Sequence, residues 1–420
     1  MAQMSTFKTL LKNLGPGLLF ASMAIGTSHL VLSTKAGAKY GWFMILPIVL
    51  ANVLKYPFFE FGIRYTNVTG KSIIEGYRNR GKGYLWLYAF VTLATGFASP
   101  AALCAVTAGL LINLLGIHSV SLTTVALALF IFNSVILIIG KYKLLETTLK
   151  FVIPTLFVAL LVTTFLVINK GAITPVENFQ HPEIFNETGI LFLITLIGWM
   201  PTAVEASSWL SLWTVEKYKM NSEKPPLKEA LQEFNFGYVV TAILALFFLT
   251  IGCMTLYGSG NELSGKAVIF ADQVISIFTT HIGNWAYIFI AISAFATMYS
   301  TCLTNHDATA RVGIDIIAKL TNDEVKFGHK KYFAAAVIII AAVSILVLYA
   351  FSANMGVILA IATATSFVLA PLVGYMNLKN VVSNDLPEVY HPKKGLQLLT
   401  YLGIFFLSLL AVYYGWVVVF

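Results

Sequence analysis

Hydrophobic residues occur in long runs along this chain, and short polar or charged segments separate one run from the next. A helix needs about 20 residues to cross the roughly 30 Å hydrocarbon core of a bilayer. Eleven runs reach that length, at about 14–34, 43–64, 84–115, 120–140, 147–169, 189–213, 234–258, 283–310, 332–351, 354–378 and 397–419. The pattern therefore predicts an all-α polytopic membrane protein with eleven transmembrane helices.

The composition agrees with this prediction. The 420 residues are 58% hydrophobic and 11% charged, and the mean hydropathy is +0.81. A soluble domain usually carries about 25% charged residues, so this chain lacks the polar surface that would keep it in water. These values exclude a soluble enzyme, a nucleic-acid-binding protein and a disordered scaffold. Cys104, Cys253 and Cys302 lie in apolar runs without metal-ligand spacing, as small core residues do.

The positions of the cations predict how the chain is inserted. If the N-terminus is cytoplasmic, cytoplasmic segments hold 22 of the 27 Lys and Arg residues, outside segments hold four, and the remaining one, Lys55, lies within a span. Cytoplasmic loops of membrane proteins usually carry this excess. We expect a cytoplasmic N-terminus, an outside C-terminus and a plasma-type membrane, most simply a bacterial inner membrane. The net charge of +8 then indicates contact with the anionic leaflet and says little about the substrate.

Two spans carry helix-breaking residues near their middle. The first span contains Gly26-Thr27-Ser28-His29, and the sixth contains Gly198-Trp199-Met200-Pro201-Thr202 followed by Glu205. Backbone in lipid must satisfy its own hydrogen bonds, so breaks at this depth are tolerated where they line a cavity. Such residues can also simply kink packed helices. We expect the two breaks to meet at the bilayer midplane and to form a site there.

The two breaks fall in the first helix of each half of the chain. With five spans in each half, an odd number, the second half enters the membrane in the opposite sense, which is the inverted-repeat arrangement of many transporters. We expect a single transporter domain over residues 1–420, with a first five-helix repeat at 14–170, an inverted repeat at 189–378 and an extra helix at 397–419.

Several short motifs resemble the Nramp divalent-metal transporter family. They are Gly15-Pro16, Ala36-Gly37-Ala38-Lys39-Tyr40-Gly41, Ala51-Asn52, Val68-Thr69-Gly70-Lys71, Leu145-Glu146 and Met200-Pro201, in the family's order and spacing. The resemblance covers most of the chain. It implies the LeuT-type fold, with two inverted five-helix repeats and one extra helix, and proton-coupled transport of divalent metal ions by alternating access.

The chain departs from the family at the metal site. Where the family has Asp-Pro-Gly-Asn, this sequence has residues 26–29, so Gly26 replaces the metal-binding Asp and His29 replaces the Asn. The family's Met-Pro-His becomes Met-Pro-Thr at 200–202, and its second His becomes Ser207. Of the core metal ligands that the resemblance implies, only Met200 remains. The chain therefore resembles a divergent branch of the family.

The candidate site residues follow from the two breaks and from the polar cluster in the eighth span. Candidate substrate-binding residues are Gly26, Thr27, Ser28, His29, Met200 and Thr202, and candidate ion-coupling residues are His29, Glu205, His306 and Asp307. Met200 and His29 are also candidate metal ligands, because thioether sulfur and imidazole nitrogen suit borderline transition metals. Asp307 and Arg311 are expected to form an i,i+4 ion pair.

Two substrate classes remain open. The family framework and Met200 favour proton-coupled transport of a metal ion. The missing Asp and Asn favour a proton- or ion-coupled symporter of a small organic or anionic solute, because a divalent cation in a low-dielectric site needs anionic or strongly dipolar ligands. Either substrate is a small ion or solute; no nucleic acid and no cofactor is expected, and the sequence leaves the oligomeric state open.

Lys55 lies near the middle of the second predicted span. We expect it to snorkel or to pair with nearby Glu60 rather than to act as a gate. The sequence has no zinc-protease HExxH motif and no GxSxG elbow, so we expect no enzyme activity.

Overall fold

A computed structural model describes residues 16–139, 142–177, 179–220, 224–352 and 354–419, and the regular secondary structure in these ranges is helical. The first half contains α1 (Pro16–Ala24), a π-helix (Ser28–Ser33), α2 (Thr34–Tyr40), a 3-10 turn (Gly41–Met44), α3 (Ile45–Thr69), α4 (Ile73–Arg80), α5 (Lys82–Gly96), α6 (Ala98–Leu115), α7 (Leu122–Ile139) and α8 (Tyr142–Lys170). The second half contains α9 (Glu187–Gly198), α10 (Ala206–Met220), α11 (Leu227–Leu256), α12 (Ala267–Ile282), α13 (Tyr287–Thr321), α14 (Glu324–Phe327), α15 (Lys330–Ala350), α16 (Met355–Val381) and α17 (Lys394–Val419).

The predicted all-helical architecture is confirmed. Each of the eleven predicted spans coincides with one helix or with consecutive helices, although residues 14 and 15 of the first span and residue 140 of the fourth lie outside the described residues. Within the described ranges, eight helical segments are long and apolar enough to cross a membrane. The number eleven, the division into repeats and the orientation stay predictions.

Three local features differ from the hydropathy pattern. The predicted span at 84–115 is two helices, α5 and α6, which separate at Phe97. Helices α4 and α12 lie in segments that the pattern assigned to loops, because each is too short or too polar to register as a span.

Burial separates inner helices from lipid-facing ones. In α7, α15 and α17 only 28%, 28% and 17% of the most apolar window is buried, so most of their surface is left to face lipid. In the α5–α6 segment the buried share is 78%, which places it inside the bundle. Helices α1 and α2 pack against the long helix α11, and α1 also packs against α13.

Small residues bring the second part of the broken first span against α11. A Cβ atom on Gly37 would lie 2.1 Å from the Leu249 carbonyl oxygen, and one on Gly252 would lie 2.2 Å from the Thr34 carbonyl oxygen. Both approaches require glycine, and close backbone contact of this kind stabilises helix packing in membranes. The contact fixes the position of the chain that follows the first break.

Candidate functional site

The first break separates α1 from the π-helix. Helix α1 ends at Ala24, Ile25 and Gly26 leave the helix, and π-helical backbone runs from Ser28 to Ser33. Glycine is required at the break, because a Cβ atom on Gly26 would lie 2.5 Å from the Thr301 methyl carbon. The chain therefore opens where α13 approaches it most closely.

The second break separates α9 from α10. Helix α9 ends at Gly198 and α10 begins at Ala206, so seven intervening residues lie outside the helices. Pro201, inside this stretch, has no amide N–H to continue a helix. A Cβ atom on Gly198 would lie 2.3 Å from the Thr363 carbonyl oxygen of α16. The predicted interruptions are therefore real breaks in both spans.

The two breaks are in contact through Ser28. Its hydroxyl oxygen lies 2.7 Å from the Ala24 carbonyl oxygen, at the end of α1, and 3.1 Å from the Pro201 carbonyl oxygen in the second break. The Ser28 hydroxyl, which has one proton to donate, thus lies between main-chain acceptors of both breaks. The two breaks therefore meet, as we expect from the sequence.

A cavity of about 20 Å³ lies between the breaks, α6, α10 and α13. This is room for a water molecule or a small ion. Residues with hydroxyl, amide or indole groups line it together with apolar ones: Met23, Thr27, Ser28, Ser99, Leu103, Trp199, Thr202, Ala203, Trp209, Thr301 and Asn305. We call this space the central cavity.

Two residues of the cavity wall carry oxygen atoms that lack a hydrogen-bond partner within the described chain. The Thr27 hydroxyl and the Asn305 side-chain carbonyl are buried and have no hydrogen-bond partner among the described residues. The Asn305 amide nitrogen donates to the Ser99 hydroxyl at 2.9 Å, so one end of this side chain is held in place. Buried polar atoms are rarely left unpaired, so these two oxygens are natural contacts for a substrate.

His29 is fully buried and has partners on both ring nitrogens. Nε2 lies 2.9 Å from the Thr241 carbonyl oxygen of α11, and Nδ1 lies 2.7 Å from the Ser28 hydroxyl. His29 does not line the central cavity; it stands behind Ser28. In this arrangement neither nitrogen is open to a metal ion in the cavity.

Lys55, on α3, binds the second break. Its ammonium nitrogen lies 2.9–3.0 Å from the carbonyl oxygens of Ile197, Gly198, Met200 and Thr202, and its side chain is fully buried. The expectation that Lys55 snorkels or pairs with Glu60 is wrong. Glu60 pairs instead with Arg64, one turn later on the same helix.

Glu205 lies at the end of the second break and is buried. One carboxylate oxygen accepts a hydrogen bond from the Ser366 hydroxyl at 2.8 Å, and the other has no partner within the described chain. Its main-chain carbonyl accepts from the hydroxyls of Tyr88 and Ser208. Glu205 and His29 share no hydrogen bond. Glu205 is bound by Ser366, and His29 is bound by Ser28 and the Thr241 carbonyl oxygen.

The remaining predicted residues lie beside the cavity or beyond it. Met200 is buried but is not part of the cavity wall. Asp307 accepts from Arg311 at 2.7 Å, which confirms that ion pair, and from the Trp213 indole at 3.0 Å. The His306 Nε2 atom lies 2.8 Å from the Val337 carbonyl oxygen. In the described ranges, no cluster of three or more His, Cys, Asp or Glu side chains could hold a metal ion.

The structure thus brings Thr27, Ser28 and Thr202 together in one cavity and leaves Gly26, His29 and Met200 around it. Sequence reasoning missed the cavity residues of α6 and α10 and the indole of the second break, namely Ser99, Trp199 and Trp209. Ser99 stands next to Pro100 at the point where α5 and α6 separate, and this Ser-Pro pair was the available signal.

A bundle of apolar helices with two spans broken around a polar cavity is the architecture of a membrane transporter. Three solved structures share it. A manganese transporter of Eremococcus coleocola is 14% identical with a TM-score of 0.68, over 97% of this chain and 86% of that one. The nucleobase-cation-symport-1 transporter Mhp1 with bromovinylhydantoin bound is 14% identical, with a TM-score of 0.59 over 96% and 92% of the two chains. MhsT in complex with L-phenylalanine is 14% identical, with a TM-score of 0.62 over 96% and 98%. The fold is therefore of the LeuT type.

The chain belongs to the Nramp family. The family described as natural resistance-associated macrophage protein-like matches residues 17–417. An uncharacterized protein of Pasteurella multocida is 31% identical over 420 residues, which cover 98% of this chain and 95% of that protein. The protein is a membrane transporter of this family.

Proposed function

We propose that this protein is a secondary active transporter that works by alternating access and binds its substrate in the central cavity. The observation that carries the proposal is the contact between the two breaks, where the Ser28 hydroxyl reaches the Pro201 carbonyl oxygen at 3.1 Å beside the cavity. Broken helices that meet at mid-depth are where transporters of this architecture bind ions and solutes.

The charges around the cavity favour a substrate other than a divalent cation. The cavity walls are neutral, and the two charged groups closest to the second break, Lys55 and Glu205, are of opposite sign. A dehydrated divalent ion would gain no net anionic partner there, and burying an uncompensated charge is very costly. We therefore propose a small polar solute, organic or anionic, that accepts a hydrogen bond from the Thr27 hydroxyl; a solute that also carries an N–H or O–H group can donate to the Asn305 oxygen.

Transport of a divalent metal ion is the second candidate. Membership of the Nramp family favours it, and Met200 supplies a soft ligand within the second break. In that case the Met200 sulfur and the unpaired oxygen of Glu205 would have to turn into the central cavity during the transport cycle.

We propose further that His29 couples transport to protons through Ser28. The main-chain carbonyl oxygen of Thr241 can only accept a hydrogen bond, so Nε2 of His29 must carry a proton and donate a hydrogen bond to that oxygen. In neutral His29, Nδ1 then accepts from the Ser28 hydroxyl. When His29 is protonated, Nδ1 donates to Ser28 instead, and the hydroxyl proton becomes free to bind the Ala24 or Pro201 carbonyl oxygen. Protonation would thereby change how tightly the two breaks are connected.

A thermal-shift panel followed by uptake tests the proposed function. The purified protein is screened against amino acids, carboxylates, inorganic anions and Mn²⁺, and the compounds that raise its melting temperature are tested in proteoliposomes with an imposed proton gradient. We expect stabilisation by a solute of the first three classes and saturable uptake of it.

A matched pair of variants tests whether the substrate binds in the central cavity. Thr27→Val removes the cavity hydroxyl, whereas Thr34→Val removes another buried hydroxyl that also lacks a partner in the described chain but lies on α2, outside the cavity. Only Thr27→Val should weaken binding, by roughly fivefold to tenfold for one lost hydrogen bond. Stabilisation and uptake of Mn²⁺ alone would favour the second candidate, and equal effects of the two variants would contradict the assignment of the cavity.

A further inference from the structure

Lys55 is a charged residue whose partners are all main-chain oxygens. Its ammonium nitrogen lies 3.0 Å from the oxygens of Ile197, Gly198 and Thr202 and 2.9 Å from that of Met200. We call these four oxygens the carbonyl cage. An ammonium group has only three N–H donors. Four oxygens at nearly equal distances therefore surround the nitrogen as they would surround a spherical cation.

The position of the cage explains why it attracts positive charge. Its first two oxygens end helix α9, where the helix dipole is negative. The Ile197 oxygen also accepts from the Met200 amide at 3.2 Å, whereas the Gly198 oxygen has no main-chain donor among the described residues. The other two belong to the open stretch before α10, in which Pro201 has no N–H to offer. The second break therefore presents a concentrated set of buried main-chain acceptors, three of which have Lys55 as their donor in place of an amide.

The cation comes from a different helix. Lys55 lies in the middle of α3, and its side chain is fully buried although it is among the longest and most polar that a helix can carry. A lysine is rarely buried unless its charge is compensated. Here the compensation comes from the cage and from Glu205, whose carboxylate is near enough to interact with the ammonium.

We propose that the carbonyl cage is a monovalent-cation site and that Lys55 fills it with a cation tethered to the protein. The broken span then keeps its shape without a bound alkali or metal ion at this position. Any ion that couples transport must consequently act elsewhere. The proposal concerns the cage alone and does not depend on the identity of the transported substrate.

Lys55 as the cation of a carbonyl site and Lys55 as a purely structural lysine are two interpretations that predict different results when the Lys55 side chain is removed. If the oxygens form a cation site, Lys55→Ala leaves an empty site whose charge and size suit a small free ammonium ion. If Lys55 contributes only through its packing, no cation will replace it.

The experiment measures the thermal unfolding of the full-length protein in detergent. Lys55→Ala should lower the melting temperature by roughly 10 °C or more, because it leaves three buried acceptors unpaired and removes one partner of the fourth. Ethylammonium chloride, which restores the three donors and two of the three missing methylene carbons, should recover at least half of that loss in a saturable way. Choline chloride has no N–H donor and should recover none of it.

Lys71→Ala is the matched control, because the Lys71 side chain is 64% exposed. That variant and the unaltered protein should respond equally, and weakly, to both salts. If ethylammonium does not stabilise Lys55→Ala more than it stabilises the Lys71→Ala control, the proposal is overturned.

A variant that fails to fold in sodium buffers also gives an answer. The preparation is then repeated with ethylammonium or ammonium chloride at every step, and recovery only in those salts supports the cage, whereas no recovery in any salt contradicts it.

Lys55→Arg gives an independent measurement: a planar guanidinium cannot occupy the centre of four oxygens, so the melting temperature of this variant should fall clearly below that of the unaltered protein. An unchanged melting temperature for Lys55→Arg would count against the cage geometry.

Discussion

At the scale of single residues, Gly26 has the clearest consequence for binding. The Nramp resemblance implies an Asp at this position, but here a side chain would collide with Thr301, whose methyl carbon lies 2.5 Å from the ideal Cβ position. Thr301 also donates to the Ser22 carbonyl oxygen at 2.8 Å, so it is held in place. The acid is thus absent from position 26, and Thr301 fills the space that its side chain would need.

This packing predicts how an acid could be restored. Gly26→Asp alone should destabilise the protein by about 1–3 kcal/mol through overpacking and should not create a Mn²⁺ site. Gly26→Asp combined with Thr301→Ala should fold well and bind Mn²⁺ measurably in isothermal titration calorimetry. Thr301→Ala alone is the control. Mn²⁺ binding by the single Gly26→Asp variant at full stability would show that Thr301 does not occupy the place of the acid.

A second residue-scale prediction concerns His29. Gln can still donate to the Thr241 oxygen but cannot take up a proton, so His29→Gln should lower proton-driven uptake roughly tenfold while the protein stays folded. The measurement is proton entry into proteoliposomes that contain a pH-sensitive dye. His391, whose Nε2 atom also binds main-chain oxygens but lies in the segment after α16, is the matched control. Equal losses in His29→Gln and His391→Gln would contradict the role of His29.

At the scale of helices, an ion-pair cluster joins α4 to the end of α13. Lys319 lies 3.1 Å from Glu75 and 3.1 Å from Asp315, and Arg78 lies 2.8 Å from Glu324. Lys319 follows the cavity residue Asn305 on the same helix by 14 positions, which is about 21 Å of helix. The cluster therefore holds α13 at a point far from the cavity but rigidly connected to it.

The cluster predicts a pH dependence of stability. Partial burial would raise the pKa of Glu75, but the cations of Lys319, Arg78 and Lys71 outweigh that effect and hold the pKa below its ordinary value of 4.5. The stabilisation is therefore present above pH 4.5 and is lost as the pH falls through the lower, folded-state value. Glu75→Gln should cost at most about 1 kcal/mol at pH 7 and should flatten the fall of the melting temperature below pH 4.5. An identical pH profile in the variant would rule out this contribution.

The helix scale also shows what the sequence can and cannot reveal. Gly26 and Pro201 stand out in apolar runs, so both breaks could be predicted from local chemistry. Lys55 could not be placed, because the acceptors that hold it lie more than 140 positions further along the chain. The short helix α12 was missed for another reason, since hydropathy detects spans and this helix is too short for one.

At the scale of the whole molecule, each break divides its span into two helical parts that alternating access would require to move against the rest of the bundle. The central cavity has room for only about 20 Å³, so the structure represents a state in which a larger solute would need one side to open. Helices α7, α15 and α17 face mostly outward, whereas the breaks touch α6, α11 and α13. Movement is therefore expected where the breaks meet the inner helices.

The most direct test of this account asks from which side of the membrane the cavity can be reached. Thr27→Cys and Thr202→Cys place thiols in the cavity, Thr34→Cys is the buried control outside it, and the native cysteines are buried. An impermeant thiol reagent is added to one side or the other of sealed vesicles, with and without disruption of the ion-pair cluster by Glu75→Gln. Alternating access predicts that both cavity thiols react from either side, that Glu75→Gln shifts the balance between the sides, and that Thr34→Cys stays unreactive. Reaction from one side only under every condition would contradict it.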